Sequence, residues 1–207
     1  MTGSHDKRPV ILAFDTSAAC CSAAVLQGDR IIAQAEEQMS KGQAERLMDL
    51  CKELLNASAL HFRDLAAIGV GVGPGNFTGI RISVAAARGL ALGLGVPAVG
   101  VTGFEALRHG FSGACACAIP ARRGQVYLQV FDGITTQSPV LVPGDALPAF
   151  EGPLIGASGQ EAAHPVAVSI AHLAARRFRD APARPAPLYL RPADAAPARD
   201  APPAILP

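Results

Sequence analysis

Tryptophan is absent from the 207 residues, aromatic side chains reach only 5%, and charged residues only 17%. Lysine is scarce as well: Lys7, Lys41 and Lys52 stand against fifteen scattered arginines, for a formal net charge of +1. A chain that grips nucleic acid unaided shows a basic stripe, so the charge balance excludes that class. Half of the residues are hydrophobic, enough to build a core in one large domain or two small ones. So few charges on so apolar a chain imply that a partner covers part of its surface.

Cysteine occurs five times (Cys20, Cys21, Cys51, Cys115, Cys117), an odd number with no CxxC and no scaffold spacing. That excludes a disulfide framework and reads as reduced thiols, used as small core residues in a cytosolic protein. The histidines His5, His61, His109, His164 and His172 include no pair four residues apart. A helical HxxxH clamp is therefore missing, and no metal site is expected. Long apolar runs are missing too: "VILAF" is shorter than a signal core, and 82–101 is broken by Arg88, several glycines and Pro97. Neither a secretion signal nor a membrane span is expected, and the cytoplasm is the expected compartment.

What is present is a regular alternation of strand and helix patterns. "PVILAFDTS" is the continuous apolar run of a strand covered on both faces. Strands over about 21–27 and 30–37 turn at Gln27-Gly28-Asp29-Arg30. An amphipathic helix over about 43–57 carries Ala44, Leu47, Met48, Cys51, Leu54 and Leu55 at steps of three and four. "LAAIGVGVG" (65–73) is a second buried strand, and 79–95 a second helix with Ala85, Gly89 and Gly93 spaced by four. "VPAVGVT" is a strand and "GFEALRHG" a short helix ended by Gly110, giving β-β-β-α-β-α-β-α. The second half opens in the same way, with strands in "CACAIPA", at 124–131 and near 136–142, then a helix over about 166–179. A duplicated α/β fold follows: a first lobe at 9–110, a reduced second lobe at 111–192, and an extended or disordered Pro/Ala-rich tail at 193–207.

"GVGVGPGNFTGIRI" (69–82) is the stretch with the most chemical promise. It lacks the Lys of a GxxxxGK[ST] phosphate loop, and no dinucleotide GxGxxG follows the first strand. Its backbone N–H groups could still meet an anion at a helix N-terminus. Otherwise Gly73 and Gly75 supply turn geometry, Pro74 stiffens it and Thr78 caps the helix. Asp15-Thr16-Ser17, at the end of the first strand, could hold a metal-bound phosphate or start a turn. Asp15, Thr16, Ser17, Gly73, Gly75, Thr78 and Arg81 are thus the candidate anion or nucleotide loop. No GxSxG elbow surrounds any serine. Arg122-Arg123 reads as a solvated turn, and Arg176, Arg177 and Arg179 suit the C-terminal end of a helix.

"ILAFDTSAACCSAAVL", "GVGPGNFTGIRISVAAARGLALGLGVPAVGVTGFEAL", "ARRGQVY" and "PLYLR" together resemble the TsaB (YeaZ) family. The resemblance covers 9–131 well and 186–192 briefly. It implies the actin/Hsp70/sugar-kinase-like (ASKHA) fold, two βββαβαβα-type lobes with the second reduced. It further implies a non-catalytic subunit that binds and activates a TsaD-type threonylcarbamoyltransferase, for N6-threonylcarbamoyladenosine (t6A) at A37 of tRNAs reading ANN codons. A TsaE-type ATPase joins that pair, a TsaC-type enzyme makes the adenylate, and the isolated subunit forms a homodimer. Transferred onto this sequence, the partner interface is Leu47, Met48, Cys51, Leu54 and Leu55 with Ala85, Gly89 and Gly93, in a four-helix seam. No catalytic residue, metal or intrinsic cofactor is implied; nucleotide (ATP or ADP) would sit only at the complex interface, and tRNA would be met only through the complex. Gln43 stands where many members carry His, and Pro120 where the second lobe usually carries Asp. The alternative within the same fold is a metal-dependent, glycoprotease-like (M22-like) peptidase or a small ASKHA kinase acting alone.

Overall fold

The computed structural model describes residues 8–133, 135–180 and 182–190. The tail expected at 193–207 lies outside the described residues.

A run of six residues buried on both faces, β1 (Val10–Asp15), sits at the centre of the first half. Its neighbours are β2 (Cys20–Gln27) and β3 (Arg30–Gln38), an antiparallel meander, and β4 (Ala67–Gly71) and β5 (Ala98–Val101), which run parallel to it. The sheet order is β3-β2-β1-β4-β5. Helix α1 (Gln43–Ala57) bridges β3 and β4, and α2 (Phe77–Leu94) bridges β4 and β5. Alternation along β1 explains its double burial. Val10, Leu12 and Phe14 face the layer of α1 and α2, whereas Ile11 and Ala13 face the opposite side.

After α3 (Gly103–Arg108) the pattern recurs with β6 (Cys115–Pro120), β7 (Gln125–Phe131), β8 (Val140–Pro143) and β9 (Leu154–Gly156). Their order, β8-β7-β6-β9, repeats that of the first four strands, with β6 antiparallel to β7 and parallel to β9. The short β9 and a single 3₁₀ turn at Phe62–Asp64 are elements that the sequence pattern did not reveal. No helix separates β8 from β9; Leu147 and Phe150 from that connection cover Ala116 and Ala118 instead.

The last helix, α4 (Val166–Arg177), corrects the expected lobe division. Sequence order places it with the second half, yet it packs on β1, β2 and β4 of the first sheet. Small side chains on that face are the reason. Ala13, Ala67 and Gly69 leave a shallow floor, and a Cβ on Gly69 would lie 3.0 Å from both Ala174 and Ile170. Ala167, Ile170, Ala171 and Ala174 fill that floor. The first sheet is thus the middle of three layers, and α3 packs between α4 and the second sheet.

A close backbone approach sets the direction of α2. A Cβ on Gly79 would run into the Thr16 carbonyl oxygen, and one on Gly75 into that of Ser17. Gly79→Ala is therefore expected to lower stability by at least about 2 kcal/mol. At Gly89 a Cβ would meet nothing within 4 Å, so Gly89→Ala is expected to add up to about 1 kcal/mol through helix propensity alone. Urea unfolding of the two variants checks the contrast.

Candidate partner face and the loop behind it

Helices α1 and α2 lie side by side on one face of the first sheet, but they turn very different surfaces outward. Leu47, Leu50, Cys51 and Leu55 of α1 are at most 2% exposed. The expected interface stripe is corrected accordingly: Leu47, Cys51 and Leu55 are core, only Met48 and Leu54 are half-buried, and Ala44 is exposed. An apolar stripe at helical period marks whichever face the helix buries, and here α1 needs it to cover β2 and β3. Burying each such leucine is worth about 1.5–3 kcal/mol.

Helix α2 divides its faces differently. Ile80, Val84 and Ala87 face the sheet, while Ala85, Gly89 and Gly93 are exposed. Leu92 beside them is 80% exposed, the most exposed large hydrophobic side chain described. A Cβ on Gly89 or Gly93 would meet nothing within 4 Å among the described residues, so neither glycine is required by packing there. Glycine in a helix costs about 1 kcal/mol relative to alanine. By length and composition α2 is the one described helix able to cross a membrane, but its buried side is taken up by the sheet.

The Gly-rich loop is engaged by the fold on every side. Asp15 Oδ1 accepts hydrogen bonds from the Ser17 amide and the Ser17 hydroxyl, both at 2.8 Å. The Thr16 hydroxyl donates to the Gly79 carbonyl at 2.7 Å, and the Asn76 amide donates to the Ser17 carbonyl at 2.7 Å. The helix cap is Asn76 rather than the expected Thr78: its side chain accepts from the Thr78 amide, because Asn76 is the last extended residue before the helix. Gly73 accepts from the Gly103 amide, tying the loop to α3. Arg81 donates to the Tyr189 hydroxyl at 2.9 Å and lies 3.8 Å above the Phe77 ring. The segment 182–190 is the strap that brings Tyr189 there; the Leu188 amide donates to the Val72 carbonyl and Arg88 to the Pro185 carbonyl. Burial pushes the Asp15 carboxyl above its ordinary range, against the lowering effect of the Ser17 hydrogen bonds.

The two departures from the family pattern have local explanations. Gln43 is buried at the start of α1, and its side-chain amide donates to the Met39 carbonyl at 3.1 Å. Pro120 is exposed at the end of β6, opposite Val126, and brings no carboxylate to that end of the second sheet.

The structure also assembles a group that sequence spacing left scattered. His109 at the end of α3, His164 before α4 and His172 on α4 have ring centroids 5.2, 5.5 and 6.4 Å apart. Among the described residues, no three His, Cys, Asp or Glu side chains are arranged to hold a metal ion. His109 and His172 are both held below the usual 6.5, chiefly by burial, then by the neighbouring imidazoles and Arg176; Asp29 opposes the effect at His172. The five cysteines are free and buried. Burial pushes Cys20, Cys51 and Cys117 up to about 12 and Cys21 to about 11, so none of these four is a reactive thiolate.

Two halves with one strand order, the second pared down and each closed by a helix laid between the sheets, define an α/β protein of the actin/Hsp70/sugar-kinase class. Residues 30–178 match the family described as TsaD, tRNA N6-adenosine threonylcarbamoyltransferase. The TsaB proteins of Bacillus subtilis and Escherichia coli are 38% and 36% identical, over 58% and 56% of this chain. Those alignments span about half of the relatives, 54% and 52% of their lengths. An uncharacterized protein of Mycobacterium tuberculosis is 32% identical over 90% of this chain and 94% of its own. The structure described as YeaZ from Pseudomonas aeruginosa superposes with a TM-score of 0.69 at 26% identity, covering 88% of this chain and all of that one. The chain belongs to the tRNA N6-adenosine threonylcarbamoyltransferase family, as a TsaB (YeaZ) member.

The histidine cluster has a measurable consequence. Because the fold favours the neutral imidazoles of His109 and His172, the unfolded chain takes up their protons first as pH falls below 6.5. Their contribution is complete above that pH and is lost on acidification. Asp15, with its raised carboxyl, titrates with the opposite sign, so the comparison is with His172→Gln. Urea unfolding between pH 7.5 and 5 is expected to show a smaller acid loss of stability in H172Q than in the parent.

Proposed function

We propose that this chain is a non-catalytic docking subunit for a TsaD-type threonylcarbamoyltransferase, supporting t6A formation at A37 of tRNAs that read ANN codons. The observation that carries the reading is the outward face of α2, where Ala85, Gly89, Leu92 and Gly93 are exposed and both glycines have open space above them. Small residues at a four-residue step let a second helix approach closely, and Leu92 supplies an apolar knob at the contact. Met48 and Leu54 on the flank of α1 extend that contact in the pair. A TsaE-type ATPase completes the assembly, and the same face joins two copies when the chain is alone.

In this reading the chemistry belongs to the partner. The chain carries no resident cofactor, nucleotide is met only within the complex, and tRNA reaches the chain only through it. The near-neutral charge and the internal engagement of Asp15, Ser17 and Arg81 support this division of labour. Five buried, unpaired thiols suit the reducing cytoplasm.

The test uses residues that the fold leaves free; Leu47 is buried and would report only on folding. Gly89→Glu with Leu92→Glu is expected to abolish co-purification with the TsaD-type protein and to remove t6A from cellular tRNA, with the unfolding midpoint shifted by only a few degrees. Persistence of t6A in cells whose only copy is the double variant would overturn the docking role.

A further inference from the structure

A cavity of about 570 Å³ lies between α3, the C-terminal half of α4 and the face of β7. None of Asp15, Thr16, Ser17, Gly73 or Gly75 lines it, so it is separate from the Gly-rich loop. Its volume suits a small organic ligand. Its charge is lopsided: Arg108, His109, Arg176 and Arg177 face a single acid, Glu105. That acid is already engaged. One Glu105 oxygen pairs with Arg177 at 2.8 Å, and the other accepts from the Thr102 amide and hydroxyl at 2.8 and 2.9 Å. Arg108 and Arg176 take part in no ion pair among the described residues.

Two side-chain nitrogens of residues that line this cavity are also left unanswered. Among the described residues Arg108 Nε and His109 Nδ1 are buried with no hydrogen-bond partner, which is uncommon for buried polar atoms in folded proteins. The Arg108 guanidinium sits 4.8 Å from the Phe131 ring centroid and donates to the Gly113 carbonyl. Stacking and that hydrogen bond hold its plane in place ahead of any ligand. Phe111, Phe131 and Leu173 supply the apolar part of the lining, with Phe131 beneath the Arg108 guanidinium.

We propose that this cavity binds a small phosphate monoester, its phosphate held by Arg108 and Arg176 and its organic part lying against Phe111, Phe131 and Leu173. The charge count selects phosphate over carboxylate. Two unpaired guanidinium groups call for a dianion, and a phosphate monoester carries about −1.5 to −2 at pH 7. Guanidinium groups bind its oxygens in the bidentate geometry that a lysine cannot offer. The site acts on the chain alone and does not depend on the docking role.

The experiment titrates the full chain with inorganic phosphate and with ribose 5-phosphate, against acetate and against sodium chloride at matched ionic strength. Unfolding temperature and calorimetric heat are the readouts. Saturable stabilisation by both phosphates, stronger for the ester and missing with acetate, is expected. Arg176→Gln, at an exposed position, and Arg108→Lys are each expected to weaken binding at least about tenfold, while Arg123→Gln in the exposed turn before β7 leaves it unchanged. Stabilisation that follows ionic strength alone, equal binding of acetate, or undiminished binding by R176Q would overturn the assignment. If R108K fails to fold, R176Q decides the matter.

Discussion

Thr16 and Gly79 meet at the edge of the first sheet, hydroxyl to carbonyl at 2.7 Å, with no room for a side chain on the glycine. That contact sets the axis of α2 relative to β1. Once the axis is set, Ile80, Val84 and Ala87 must face the sheet, and the opposite flank with Ala85, Gly89 and Gly93 must face out. The strap at 182–190 closes the arrangement from outside through Tyr189 on Arg81 and Phe77. The polar residues of the Gly-rich loop therefore serve chain geometry first, and the outward face of α2 is the surface that this geometry produces.

The duplicated architecture is asymmetric for a packing reason. In the first half, two helices cover one face of the sheet and α4 covers the other. In the second half, one face is covered by α3 and the strap, and the other only by Leu147, Phe150 and neighbouring side chains of a helix-free connection. The second sheet thus has little core of its own, and α3 and α4, crossing between the halves, bind it to the first. The arginine-lined cavity lies beside the contact between these two helices.

Most of the element order was legible because periodicity reports directly on burial. The helix at 43–57 has the bounds that its pattern implies, and β1 reads as doubly buried because every residue in it is apolar up to Asp15. Where the reading failed, the missing information was direction in space. Leu47, Cys51 and Leu55 have the same spacing whether they face a sheet or a partner. On α2 the Ala/Gly step lies on the outer face, and no packing among the described residues asks for glycine at 89 and 93. The cap at Asn76 was missed for Thr78 two residues on, because both types cap helices and only backbone angles distinguish them.

By itself, the sequence determined the class of fold, most of the order of strands and helices, and the family, since these rest on local periodicity and on one distinctive loop. Tertiary structure alone decided which sheet α4 covers, which side of α1 is core, and that His109, His164 and His172 meet across 63 residues of chain. It also decided that Arg108 and Arg176, on different helices, line one cavity. The physical reason is the same in each case: a side chain's partners across long sequence separations depend on how elements dock. Docking is governed by small residues such as Ala13, Gly69 and Gly79, whose contribution is the space that they leave.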